Sequence, residues 1–327
     1  MNLTALAKLA GVSVSTVSKA FSGSPEVGTE TRERIFSLAR ENGMFDKYNK
    51  NPFPKKVVAV ICPEWKSNYY KMFVTLLKKE LDARQALMVV SATDFSAEHE
   101  KELFTYYAFY CKTDGIILIS PHREIENPTH MPAVAIDPAR DCRAVDAIRF
   151  DLRDATKKMV EFLMENGHRR IGFAGEKLTV GKQNTFLAAI RDACLPVRSE
   201  WIKTGNRRFE EAGIDCAEAW LREGTMPTAI LAAYDDIAMG LVKTFRQHGV
   251  RVPDDVSIVG MDDIPEDPYL EPSLSSIRTH IALACRRAVE TVLRKSENRF
   301  YSPREELTLI AEFIPRESIG PAPAERE

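Results

Sequence analysis

The sequence predicts an all-α headpiece with a helix-turn-helix layout, followed by an α/β body of two lobes built on parallel sheets. Three observations carry this fold class. Residues up to about 44 hold three short helical patterns separated by glycine and serine turns. From Val57 onward, short continuous apolar runs alternate with amphipathic helical stretches, as in sheets covered on both faces. That alternation occurs in two series of similar length, which implies two similar lobes with a cleft between them. A chain of 327 residues, 44% hydrophobic and 28% charged, suits two or three globular units and excludes a disordered, fibrous or disulfide-stapled class.

In the head, Asn2 can cap a first helix whose Leu3, Leu6, Ala7 and Ala10 recur at helical spacing before Gly11 ends it. Val12 follows as an apolar turn residue and Ser13 as an N-cap. The second helix, about Val14 to Phe21, places Val17 and Phe21 on one face and leaves Val14, Ser15, Ser18 and Lys19 on the other. A third helix, about 29–42, turns Ile35, Leu38 and Ala39 inward and ends at Gly43. Helix, tight turn and a second helix with a short polar, basic outer face is the layout of a major-groove reader. An ordinary three-helix subdomain shares the pattern.

Charge separates the two parts. Residues 1–56 carry nine bases (Lys8, Lys19, Arg32, Arg34, Arg40, Lys47, Lys50, Lys55, Lys56) against five acids (Glu26, Glu30, Glu33, Glu41, Asp46), a net of +4. The 36 bases and 42 acids that remain leave the body at −6, an asymmetry expected when only one end meets a polyanion. Six scattered cysteines (Cys62, Cys111, Cys142, Cys194, Cys216, Cys285) show no zinc-ligand or disulfide spacing, so buried free thiols and no metal or cofactor are expected. The first eleven residues, with polar Asn2, Thr4 and Lys8, lack a signal-peptide core, and no apolar run of membrane-spanning length occurs; a cytoplasmic location is expected.

In the body, strands are expected at 57–61, 87–90, 115–119, 133–136, 170–174, 229–232 and 257–260, with helices at about 69–84, 97–112, 154–166, 182–193 and 235–247. Ligands of open α/β sheets bind beyond the carboxyl ends of strands, so the loops after Ile61, Val90, Ala174, Ala232 and Gly260 should face the cleft. A dinucleotide enzyme is disfavoured because Ile61-Cys-Pro-Glu64 stands where a glycine-rich loop belongs. Asp262 and Asp263 lack the nucleophile or metal ligand that a catalytic pair needs, and no enzyme activity is expected.

The wording of several segments narrows this further. LAGVSVSTVSK at 9–19, Val27 and TRERI at 31–35 closely resemble the headpiece of LacI/GalR-type repressors. GHRRIGF at 167–173, VPDDVSIVGMDDI at 252–264 and PRES at 315–318 resemble that family's regulatory domain, itself similar to periplasmic sugar-binding proteins. The resemblance implies a transcription regulator, a repressor in its usual form, whose operator affinity is modulated by a small ligand held between two lobes. It implies a DNA-binding headpiece at 1–44, a linker at 45–56 and a ligand-binding, dimerising body at 57–327. Lobe 1 would span about 57–150 and 279–306, and lobe 2 about 151–278 and 307–327.

It further implies that Val14, Ser15 and Lys19 sit at base-reading positions, and that Ser13, Thr16, Ser18 and Thr31 sit where phosphates are bound. Lys19 can donate to guanine O6 and N7 and is the main specificity candidate, whereas Val14 can read only a thymine methyl or shape. The family's hinge-helix wording is missing: residues 44–57 contain Pro52 and Pro54, which favour an extended segment, with Phe53 or Tyr48 as substitute minor-groove wedges and Lys47, Lys50, Lys55 and Lys56 as phosphate partners. A plain solvated tether fits equally.

For the cleft, the resemblance nominates Asp262, Tyr69 and Tyr70, with Trp65 in the same loop. An ungapped alignment puts Phe186 at the position of a sugar-binding Arg and Tyr234 at that of an Asn. Exchanging those donors for rings points away from a simple free sugar, toward an aromatic or nucleoside-like ligand or a sugar bound in another way; a cleft with no effector stays open. Asp94 and Asp151 follow strands and are further cleft candidates, although loop aspartates commonly cap turns. Tyr106, Tyr107, Phe109 and Tyr110 crowd one helix, which makes it a candidate homodimer contact, with two heads then reading the halves of a pseudo-palindromic duplex site.

Overall fold

Helices form in the head where the sequence supplies an apolar stripe, and side chains cap the first two of them. The structure is a computed structural model that describes residues 2–48, 53–111, 113–139, 142–297 and 303–324, and the chain separates into two units, 1–55 and 56–327. In the first, α1 (Leu3–Ala10) starts where the Asn2 side chain accepts a hydrogen bond from Ala5 N at 3.0 Å. It stops at Gly11, whose φ of +66° is a left-handed turn that only glycine adopts without cost. Then follow α2 (Val14–Phe21) and α3 (Thr29–Glu41), closed around Leu6, Val17, Phe21, Ile35 and Ala39.

The head does not end at 44. A short helix, α4 (Phe45–Tyr48), packs back on it: Phe45 lies edge-on to Phe36 at 5.1 Å and Tyr48 lies 6.0 Å from Phe21. Tyr48 therefore works as head core rather than as a wedge, because its ring has an apolar partner within its own unit. Phe53 is exposed, whereas Lys50 and Pro52 fall outside the described residues.

The body runs β1 (Val57–Cys62), α5 (Asn68–Ala83), β2 (Leu87–Ala92), α6 (Ala97–Thr105), β3 (Gly115–Ile119), β4 (Ala133–Ile136) and β5 (Asp146–Asp151). It continues with α7 (Arg153–Glu165), β6 (Ile171–Glu176), α8 (Val180–Asp192), β7 (Ile202–Gly205), α9 (Glu210–Glu223), β8 (Ala229–Ala232), α10 (Asp235–Gln247) and β9 (Ser257–Asp262). It closes with β10 (Ser275–Arg278), α11 (Ile281–Glu297), β11 (Glu306–Ile310) and β12 (Glu312–Ile314). Two six-stranded sheets result, ordered β11-β5-β4-β3-β1-β2 and β12-β10-β9-β8-β6-β7. All described pairings are parallel except β10 with β12.

The chain passes between the sheets after β5, β10 and β11. The last passage comes four residues later than the sequence suggested. Residues 307–310 remain in the first sheet because β11 pairs with β5 from Glu306↔Ala147 to Ile310↔Asp151. The helix expected at 97–112 also changes: α6 gives way to a π-helical turn, Tyr106–Tyr110, and Lys112 lies outside the described residues. Not every cysteine is buried, for Cys194 is exposed and Cys111 half-buried.

The second lobe closes by tight backbone contact. A Cβ on Gly213 of α9 would lie 2.1 Å from Ile237 O of α10, so only glycine lets the two helices meet there. Two of the telling motifs act as staples of this lobe. Buried His168 bonds Thr228 Oγ1 and Gly320 O at 3.0 Å each, and Ser318 Oγ donates to Ile258 O at 2.6 Å while accepting from Ser275 N.

Candidate operator-reading face and ligand cleft

The N-terminal turn of α2 is presented to solvent because its apolar residues, Val17, Ala20 and Phe21, all point inward. Ser13 Oγ accepts from Thr16 N at 3.0 Å and pairs with Thr16 Oγ1 at 2.8 Å, which fixes the entry to the helix. Ser13, Val14, Ser15 and Ser18 are exposed, Thr16 and Lys19 partly so, and Thr31 is half-buried on the first turn of α3. A helix N-terminus with small hydroxyl side chains suits phosphate oxygens. Lys19 Nζ is held by Glu26, an exposed pair. Arg32 instead serves the fold, donating to Val27 O at 3.2 Å and to Ser24 O.

In the body, a cavity of about 370 Å³ opens at the carboxyl ends of the strands and takes walls from both lobes. The first lobe contributes Tyr69, Tyr70, Ser120, His122 and Asp137, and the second Glu176, Lys182, Arg208, Tyr234, Asp236 and Asp262. Ser120, Asp137, Phe209 and Asp262 line it with φ of +46°, +50°, +57° and +103°. Non-glycine residues held in that region are costly, and their gathering at one cavity marks a shaped site.

Its charges are internally arranged. Lys182 Nζ donates to Ala233 O at 2.9 Å and to Asp262 Oδ1 at 3.3 Å, and sits 5.8 and 5.7 Å from the Tyr69 and Tyr234 rings. Burial pushes the Asp262 and Asp137 carboxyls up, and Lys182 partly offsets it at both. Asp236, bonded to Asn68 Nδ2 of the first lobe at 2.9 Å, is pushed up to about 7, by burial first and then by Glu210. The Tyr69 hydroxyl donates to Asp137 at 3.4 Å, and burial holds its pKa well above the usual phenol range. Such a wall offers carboxyl acceptors, two cations and aromatic faces to a polar ligand. Among the described residues, no group of three or more His, Cys, Asp or Glu is placed to hold a metal.

Of the sequence candidates, Tyr69, Tyr70, Tyr234 and Asp262 come together here. Three do not. Phe186 is 1% exposed and stacks 5.5 Å from Phe173 in the core, because the cleft-facing side of α8 is the turn before it, where Lys182 stands. Trp65 is exposed away from the cavity wall, and Asp94 is exposed while its neighbour Phe95 turns inward. Asp151 is held by Arg153, which lowers its pKa to about 2. Asp263 is held by Arg278 and Arg316, as a structural carboxylate. Lys182, Arg208, Asp137 and His122 were missed. Asp137 had a signal, following a strand as Asp94 and Asp151 do; Arg208 had none, since its loop carries no apolar pattern.

Comparison with known proteins follows the same division. The family model for bacterial regulatory proteins of the lacI family matches residues 2–44, and that for a periplasmic-binding-protein-like domain matches 160–319. The probable HTH-type transcriptional repressor ExuR of Bacillus subtilis (strain 168) is 25% identical over 96% of this chain and 97% of its own length. The fold is that of a transcriptional regulator CelR–cellobiose complex (TM-score 0.69, 24% identity, covering 97% and 99% of the two chains). It is also that of the lac repressor dimer bound to operator and the anti-inducer ONPF (TM-score 0.70, 22% identity, 97% and 98%). One chain thus joins a helix-turn-helix head matched by the lacI family of bacterial regulatory proteins to a two-sheet body matched by the periplasmic-binding-protein-like domain, the same pairing that runs through the transcription regulators it is similar to.

Proposed function

We propose that this chain is a cytoplasmic homodimeric repressor whose affinity for a pseudo-palindromic operator is set by a small polar ligand in the body's cleft. Val14, Ser15 and Lys19 read base edges, while Ser13, Thr16, Ser18 and Thr31 hold phosphates. The observation that carries the reading is the cavity itself: its walls come from both lobes, so a ligand contacting Tyr69 and Asp137 on one side and Lys182 and Asp262 on the other favours one lobe arrangement over another. The lac repressor dimer on its operator and the CelR–cellobiose complex, which share the fold, support the same division of labour. Tyr106, Phe109 and Tyr110 expose three rings on the π-helical turn and are the proposed isologous contact, whereas Tyr107 is buried, its hydroxyl 2.7 Å from Ser91 Oγ. Coupling between ligand and operator is expected at about 1–3 kcal/mol.

The test is selection of genomic fragments by the purified protein at about 0.15 M salt, repeated with Lys19→Ala. Enrichment of a pseudo-palindrome by the parent, with about 5- to 150-fold weaker binding and relaxed sequence preference in the variant, is the expected result. Fragments bound no better than random DNA by the parent would sink the reading.

A further inference from the structure

Arg208 is an unfinished binding group. Its guanidinium carbon lies 3.8 Å from the Phe95 ring centroid and 4.7 Å from that of Phe209, so the plane is fixed by aromatic contacts from both lobes. Nε donates to Glu176 Oε1 at 3.3 Å, whereas Nη1 is buried at the cavity wall with no acceptor. A donor left unpaired away from water is costly, and an Arg fixed on aromatic faces spends little entropy in taking a partner. No neighbour competes for that partner. Glu176 also accepts from Leu178 N at 2.9 Å, His122 is kept below its usual pKa by burial and by Arg208, and Lys182 is already engaged by Asp262 and Ala233 O.

From this geometry we infer that the cleft ligand is a hydroxylated acid: its carboxylate pairs with Arg208, and its hydroxyls bond the Asp137, Asp262 and Tyr69 wall. The inference rests on the reading of the cleft as the effector site. The guanidinium edge matches a carboxylate in geometry and charge. A phosphate shares the anionic chemistry but brings nearly two charges, and Glu176 stands beside Arg208, which favours the singly charged group. A cavity of about 370 Å³ suits a monosaccharide-sized acid rather than a dinucleotide.

Calorimetric titration of the full-length protein tests this with galacturonate and glucuronate, their neutral parents galactose and glucose, and glucose 6-phosphate. At least one uronate is expected to bind about tenfold or more tightly than its neutral parent. In Arg208→Gln the affinity ratio of acid to neutral sugar should fall to within about threefold. Arg208→Lys, which keeps the charge but not the planar fork, should recover only part of the difference, and unfolding midpoints equal to the parent's confirm that both variants fold. Equal binding of acid and neutral sugar, a ratio that survives Arg208→Gln, or tighter binding of the sugar phosphate overturns the assignment while leaving the cleft as the ligand site. Binding of none of the five overturns it together with the effector reading.

Discussion

The head confines its candidate DNA contacts to the stretch from Ser13 to Thr31, on one turn, the outer face of α2 and the start of α3, whereas the cleft collects side chains from Ser67 to Thr279, drawn from loops of both sheets. Local spacing decides what the head exposes, since Ala20 and Phe21, three and four places after Val17, share its buried face while Ser15 and Ser18 fall outside it. In the cleft, exposure depends on where strands end and on which turn of a helix faces the opening. The two regions should accordingly break differently. Leu6, wholly buried in the small core of the first unit, is the place to see it: Leu6→Ala is expected to cost the head about 2–5 kcal/mol, a large share of what so small a unit holds. Calorimetry should then show the head transition lost and operator binding with it, while the body melts unchanged. A body transition that falls in step would mean the two units unfold as one.

A change in the cleft should instead register as pH dependence. The Asp236 carboxyl, ordinarily near 3.8, is raised to about 7, so between those values the folded chain keeps a proton that the unfolded chain has released. Stability therefore falls as pH rises through that window, the sign opposite to that of a salt-bridged carboxylate. Asp236→Asn, which cannot ionise, should gain roughly 2–4 kcal/mol on the parent between pH 4 and pH 8, read from urea midpoints. A constant difference between the two proteins across that range would show that Asp236 ionises as freely when folded as when unfolded.

The same contrast explains what could be read beforehand. The first three helices of the head were legible while α4 was not, and strands such as 133–136 and 229–232 needed only an apolar run. Phe186 failed because an ungapped alignment fixes residue pairs but not how far along α8 the cleft reaches; one turn earlier on the same face, the cleft position belongs to Lys182. The contact of Arg208 with Phe95 joins residues over a hundred positions apart and leaves no local trace. That error carried a chemical consequence, for the aromatic exchange at the Arg position argued away from a simple free sugar on the ground that its polar donors were gone, and the cleft holds both Lys182 and Arg208.

Smaller effects sharpen the head side of the comparison. Ser13 caps α2 through Thr16 N, and Ser13→Ala should cost about 0.5–2 kcal/mol of head stability. Operator binding, followed by fluorescence anisotropy, should weaken with it because the cap also orients the turn that meets phosphate. Equal operator affinity in parent and variant would show that the DNA itself completes the cap.

The smallest effect concerns Lys19. In the free protein its ammonium is held by Glu26, with the two side chains 45% and 66% exposed, so the pair is worth about 0–1 kcal/mol. To donate to a base edge the lysine must leave that carboxylate, and Glu26 then adds a negative charge close to the phosphates. Glu26→Gln removes both penalties. It should tighten operator binding by up to about fivefold, most at low salt, where exposed charges are least screened. Combined with Lys19→Ala, the part of the gain that came from releasing the lysine should vanish, leaving only the loss of repulsion. An identical gain in both backgrounds would mean that Lys19 is never withdrawn from DNA by Glu26, and that the pair is a surface contact without bearing on recognition.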